Sequence, residues 1–261
     1  MPILLMRTDT NQPTDVNALG DRDLQELKCG IWRLGEDLVK CGRECGGITN
    51  CPTERIIPRG LILEYENRAA EGGVIVVGIN PKNAPCEAKE YKSKGISYDV
   101  CVKFWNKYRI ADPYHKPIRE IVDSLGLRGP ILWTELVKCE NEKGKKGLQI
   151  NTIQTCADLF LRKEVDLAER WPIVTIGKYP YCYCISEFQD RTIIGLYHPE
   201  YPLGTKIVGE FRKLNDRCKA LVESRKRKME GKSFRISPRE MFNAAVGKQK
   251  LRWTDDEAWC E

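Results

Sequence analysis

Histidine is almost missing from this sequence. The 261 residues include two, His115 and His198, so only two imidazoles are on hand for acid–base chemistry near neutral pH. Long hydrophobic runs are missing too. No window reaches the roughly 18 unbroken apolar residues of a membrane helix, which removes that class and predicts no membrane partner. The opening MPILLMRTDTNQPTD is too briefly apolar for a secretory signal and lacks a basic n-region. Residues 1–18 are therefore expected to be a loose leader on a cytoplasmic protein. No internal repeat is visible. The formal charge of +6 leans slightly toward a polyanion partner.

Cysteine, by contrast, is abundant, with 12 in the chain. In a reducing compartment disulfides are disfavoured, so clustered thiols suggest a metal or cluster. Scattered thiols behave as small buried hydrophobes. Cys41 and Cys45 sit close together in a Gly-rich loop. Cys139 ends an apolar run, and Cys156 lies on the helix that follows. Two near and two distant thiolates can hold a four-iron cluster or a zinc ion. Cys51 could replace Cys41 or Cys45, and Cys29 is a weaker candidate. Cys86, Cys101, Cys182, Cys184, Cys218 and Cys260 have no matching arrangement and are expected to be structural.

Strand-like and helix-like segments alternate. Leu19, Leu24, Leu27, Ile31, Leu34 and Leu38 recur at helical spacing over residues 19–40. VIVVGIN is a short apolar run of the kind found in buried parallel strands, and PILWTELVKC, WPIVTIG and TIIGLYHP follow as further strands. REIVDSLGL, residues 151–170, KYPYCYCISEF and the basic TKIVGEFRKLNDRCKALVESRKRK read as helices. In residues 151–170, Asn151 or Thr152 can cap the helix, and Ile153, Cys156, Leu159, Phe160, Val165 and Leu167 supply an apolar stripe. Residues 82–117 lack a clean period and are expected to form a long loop with short helices, with Phe104 and Trp105 in the core. This alternation predicts a three-layer α/β/α sandwich with a mainly parallel central sheet. The domain is expected to span residues 19–223, with a basic C-terminal extension over 224–261. In such sheets ligands bind at the carboxyl ends of the strands. That rule singles out Asn80, the segment Glu135 to Cys139, and His198.

The order of GINPK, TELVKC, Cys156 and YHPEYP, over about residues 24–222, resembles the uracil-DNA glycosylase superfamily. LVKC and Cys156 resemble the cysteine frame of its iron–sulfur family 4. GINP is similar to the mismatch-specific uracil and thymine glycosylases, and the HP element to families 4 and 5. The resemblance implies a monomeric, monofunctional DNA glycosylase that flips a nucleotide and hydrolyses its N-glycosidic bond. A structural 4Fe-4S cluster on Cys41, Cys45, Cys139 and Cys156 is implied, with zinc as the alternative occupant. Asn80 would hold the attacking water below the sugar. His198 would donate a hydrogen bond to the O2 region of the departing base, where negative charge develops. Gly78 would let the backbone approach the base closely, and Tyr98 would either stack on it or anchor the loop. Tyr201 and Leu203 would fill the gap left by the flipped base. Lys206 and the basic helix after it, including Arg225, would meet phosphates. Lys82 would contact a flanking phosphate or, less in keeping with a lone lysine, form a Schiff base.

One departure bears on specificity. Family 4 usually has asparagine where this chain has Glu135. An ionised carboxylate accepts hydrogen bonds but cannot donate, so facing uracil O4 it would be repelled. It suits an exocyclic amine better, which points to a modified cytosine over plain uracil unless Glu135 pairs with a nearby lysine. Repair, or defence against modified phage DNA, would use such an activity. Two other classes remain: a non-catalytic nucleic-acid-binding protein that keeps the fold, and a zinc-stabilised RNA-processing factor.

Overall fold

The computed structural model describes residues 21–48, 61–66, 68–69, 72–81, 89, 93–95, 97–109, 113–140, 148–197 and 215–246. The first helix, α1 (Asp21–Val39), turns Leu27, Ile31, Leu34 and Leu38 inward. Strands β1 (Leu61–Glu64) and β2 (Val74–Gly78) follow. Helix α2 (Tyr98–Phe104) continues into a π-helical turn (Trp105–Arg109), and α3 (His115–Ser124) leads into β3 (Ile131–Glu135). Next come α4 (Ile150–Cys156), a second π-helical stretch (Ala157–Leu161) and α5 (Arg162–Leu167). The chain continues through β4 (Ile173–Ile176), α6 (Lys178–Glu187), β5 (Ile193–Leu196), α7 (Asn215–Lys228), β6 (Arg235–Ile236) and α8 (Pro238–Val246).

The six strands form one sheet in the order β1-β3-β2-β4-β5-β6. Only β1 runs antiparallel to its neighbour. Successive strand residues point to opposite faces, and here both faces are covered. Val74 and Val76 pack with Trp105, Ile118 and Val122 on one side. Ile75 and Val77 pack with Ile31, Leu38, Phe160 and Leu161 on the other. The α/β/α sandwich expected from the alternation is thus the observed fold, and Phe104 and Trp105 are buried as expected.

Three features differ from the expectation. Strand β1 is not among the expected strands; LILE forms the edge strand that pairs antiparallel with β3. It is fastened by Glu64, whose carboxylate takes a two-pronged ion pair from Arg119 (2.7 and 2.8 Å) and a bond from the Trp133 indole (2.8 Å). The boundary at residue 224 does not exist. Helix α7 runs through it, β6 pairs with β5, and Ile236, Met241 and Phe242 are in the core. A capping box opens α8: the Ser237 hydroxyl accepts from the Glu240 amide, and the Glu240 carboxylate accepts from the Ser237 amide. Glu240 also takes Arg225 (2.6 Å), which is therefore held within the fold.

The third difference is helical phase. Cys156 and Glu164 are both buried, whereas Leu167 is 40 % exposed. Eight residues apart on a regular α-helix, Cys156 and Glu164 would diverge by about 80°. The π-helical stretch absorbs about one extra residue, which brings the two within roughly 20° of one line. It also turns Leu167 out of the expected apolar stripe.

Candidate functional site

Strands β2 and β3 are parallel neighbours whose last residues, Gly78 and Glu135, stand in register. Pairing continues past the strands, with Leu136 N donating to Gly78 O (2.9 Å) and Val137 N to Ile79 O (3.0 Å). Asn80 emerges just beyond this last pair. Its amide nitrogen donates to the Pro81 carbonyl (3.2 Å), which turns the amide oxygen the other way. Asn80 is half-buried, on a rigid strand exit rather than a free loop.

Glu135 lies over Gly78. A Cβ on Gly78 would overlap the Glu135 carboxyl, so only glycine leaves this seat open. The residue as a whole keeps some exposure, but its Oε2 has none and has no hydrogen-bond partner. Burial pushes the Glu135 carboxyl up to about 8; Lys138 opposes the shift and the Glu164 carboxylate adds to it. Gly78→Ala is expected to swing this carboxyl aside. Because the displaced atoms end a flexible side chain, thermal stability should hardly change, whereas any ligand selectivity that Glu135 sets should. Unaltered selectivity in Gly78→Ala would remove Glu135 from the site.

Among the described residues Lys138, fully buried, is the cation next to the Glu135 carboxyl, and its donors go elsewhere. Its ammonium donates to Thr134 Oγ1, to the Glu135 carbonyl (2.8 Å) and to Glu164 (2.9 Å). An ammonium has three donors, and all three are spent. The Thr134 hydroxyl donates in turn to Glu164. The nearby lysine weighed as a partner for Glu135 thus exists, but it serves the backbone carbonyl and Glu164.

The same segment leads to the cysteines. Cys41, Cys45, Cys139 and Cys156 all line one small cavity with Leu38, Ile48 and Phe160. All four are thiols rather than disulfides. Thr152 anchors the first pair by donating to the Gly46 carbonyl (3.0 Å); it does this in place of capping α4. The Lys138 amide points at Cys156 Sγ (3.3 Å), the kind of bond that tunes a metal-bound sulfur. Burial pushes the Cys156 thiol up to about 11 against the pull of Lys138, with Glu164 and Cys45 adding to the rise. Bare thiols would stay protonated here, whereas a metal cation would deprotonate them. Among the described residues, no three or more His, Cys, Asp or Glu side chains converge as ligands of a single ion would. Four thiols lining one cavity are a donor set of the kind that holds a thiolate-bound metal or cluster.

Not every expected residue joins the site. Tyr98 is a correction: its ring packs against Gly35 and, edge-on, against Trp32 (5.1 Å), and its hydroxyl donates to the Leu61 carbonyl (2.8 Å). At 3 % exposure it anchors the loop and offers no face to a base. His198, Lys82, Tyr201, Leu203 and Lys206, like the alternative ligand Cys51, lie outside the described residues. Cys182 is disulfide-bonded, against the expectation of free thiols. The sequence reading missed Glu164, which has no motif, and gave Lys138 of LVKC no role by name. It also missed Tyr179, 64 % exposed at the start of α6. Gly177, at φ +91°, turns β4 into that helix, so Tyr179 stands at the same sheet edge as Asn80. No family model and no curated protein matches the chain.

Proposed function

We propose that the chain is a monofunctional DNA glycosylase of the uracil-DNA glycosylase type, acting on a uracil-like or modified cytosine base. The observation that carries this reading is that the Glu135 carboxyl lies over Gly78 at the carboxyl edge of β2 and β3, two residues before Asn80 on the same strand exit. N-glycosidic cleavage leaves cationic character on the sugar and negative charge on the base. Asn80 holds water for the sugar carbon, which needs little activation to be attacked. Glu135 meets the hydrogen-bonding edge of the base, and His198 donates to its O2. Tyr179, rather than Tyr98, is the exposed ring for stacking. Cys41, Cys45, Cys139 and Cys156 would hold a 4Fe-4S cluster. Its contribution is structural: it would tie the loop after α1, the exit of β3 and the end of α4 together.

DNA is the proposed partner, the protein acts as a monomer in the cytoplasm, and repair or defence against modified foreign DNA is its setting. Among the described residues no helix is long and apolar enough to cross a membrane. The test is incubation with oligonucleotides bearing uracil, thymine mismatches, hypoxanthine and 5-substituted cytosines, scoring abasic sites. Abasic sites on at least one substrate are expected; none on any would sink the enzyme reading and leave a binding protein. Anaerobic purification should give a brown protein with about four irons per chain, from the cluster type assigned. Serine at any one of the four cysteines should bleach it. A colourless protein with one zinc would overturn the cluster.

A further inference from the structure

We propose that Glu135 works as a neutral carboxylic acid, one oxygen donating and the other accepting, and so selects a base edge that carries one donor beside one acceptor. This rests on the glycosylase reading for its ligand, but the carboxyl's state stands on geometry. Oε2 is sealed from solvent and unpartnered. Among the described residues the cation facing it is Lys138, from the exit of β3, and its donors are on Thr134, the Glu135 carbonyl and Glu164. The other charged group nearby, Glu164 from α5, is a carboxylate and repels a second negative charge. A desolvated carboxylate with no counter-ion is costly, and taking a proton removes the cost.

The chemical consequence is specific. An ionised Glu135 matches an edge with two adjacent donors, such as guanine N1/N2. A protonated one matches the 3,4 edge of a pyrimidine: uracil offers an N3 donor and an O4 acceptor, cytosine an N3 acceptor and an N4 donor. Moving the proton between the two oxygens serves either base. The clash with uracil O4 expected of a carboxylate then disappears, and discrimination between uracil and cytosine must come from the rest of the pocket.

Two measurements test this, and neither needs turnover. The first is infrared difference spectroscopy of the free protein against Glu135→Gln. A protonated-carboxyl carbonyl band is expected at pH 6.5 and should be lost above about pH 8, the value burial gives this group. The second is binding of oligonucleotides with 2′-fluoro uracil or 2′-fluoro cytosine, which resist hydrolysis, from pH 7 to 9. Wild-type affinity for both should fall about tenfold, following the neutral fraction of a group titrating near 8. Glu135→Gln keeps a donor and an acceptor without a titration, so its affinity should stay level apart from any titration of the base itself.

Thermal stability gives the same sign. Between pH about 4.5 and 8 the unfolded chain releases this proton while the folded chain retains it. Wild type therefore loses stability relative to Glu135→Gln as pH rises through that window. Absence of the band at pH 6.5, or identical pH profiles for wild type and Glu135→Gln, overturns the proposal even if bases are excised. The band together with a titrating base preference, but without abasic sites, overturns the glycosylase reading and leaves the proposal standing.

Discussion

If the chain excises bases as proposed, alanine at Asn80 is expected to lower the single-turnover rate by roughly 10²–10⁴-fold, the range lost when a positioned catalytic group is removed. Three observations set the size and the specificity of the effect. Asn80 leaves a strand whose residues are all buried, so its backbone stays in place when the amide is cut away. The amide is oriented by its bond to the Pro81 carbonyl, and alanine loses that orientation along with the oxygen that would hold water. Glu135, proposed to face the base, hangs from a different strand. Substrate affinity should therefore survive while the chemical step slows. The measurement is single-turnover rate and oligonucleotide Kd side by side, with circular dichroism to check the fold. A rate within tenfold of wild type would take the water-holding role from Asn80. A loss confined to Kd would make it a binding residue.

The second large effect falls on stability. Lys138 and Glu164 form an ion pair with no exposure on either side chain. Removing one partner of such a pair strands a charge in the core and costs about 3–5 kcal/mol. For a chain of this size each kcal/mol moves the melting temperature by about 2–4 °C. Glu164→Ala should therefore melt roughly 6–20 °C below wild type. The double substitution Lys138→Met with Glu164→Leu should recover most of the loss, because neither charge then needs a partner. Thermal unfolding of the three variants at one pH measures this. If Glu164→Ala melts with wild type, the buried pair does not hold the β3 exit to α5. If the double variant melts no higher than the single one, its value lies in hydrogen bonding rather than charge.

The sandwich was legible because its strands are short apolar runs and its helices keep their period: VIVVG, PILW, PIV and TIIG all became strands of one sheet. Asn80 and Glu135 could be picked out because strand ends are where ligands bind in parallel sheets. The cysteine cavity could be read from spacing because Cys41 and Cys45 share a loop while Cys139 and Cys156 flank one connection. Long-range partnership was not legible. Lys138 looked like one more lysine in a chain with many, and only the fold places Glu164 against it. Tyr98 could be given a stacking role because sequence position does not reveal which way a ring turns; here it turned inward, onto α1. The C-terminal stretch looked appended because β6 is two residues long, too short to leave a periodic signal. Its apolar residues Ile236, Met241 and Phe242 gain meaning only once β5 is there to pack against.

The wide turn at Ala157–Leu161 makes this helix tolerant of a change in chain length. Take out one of those five residues, such as exposed Asp158, and a regular helix can close over the gap. Seven regular steps would then separate Cys156 from Glu164, about 20° from one line, which is the phase the wide turn already gives them. A single-codon deletion there should leave Cys156 on its cavity and Glu164 on Lys138. The five-residue turn is thus one residue longer than the alignment of its two ends requires.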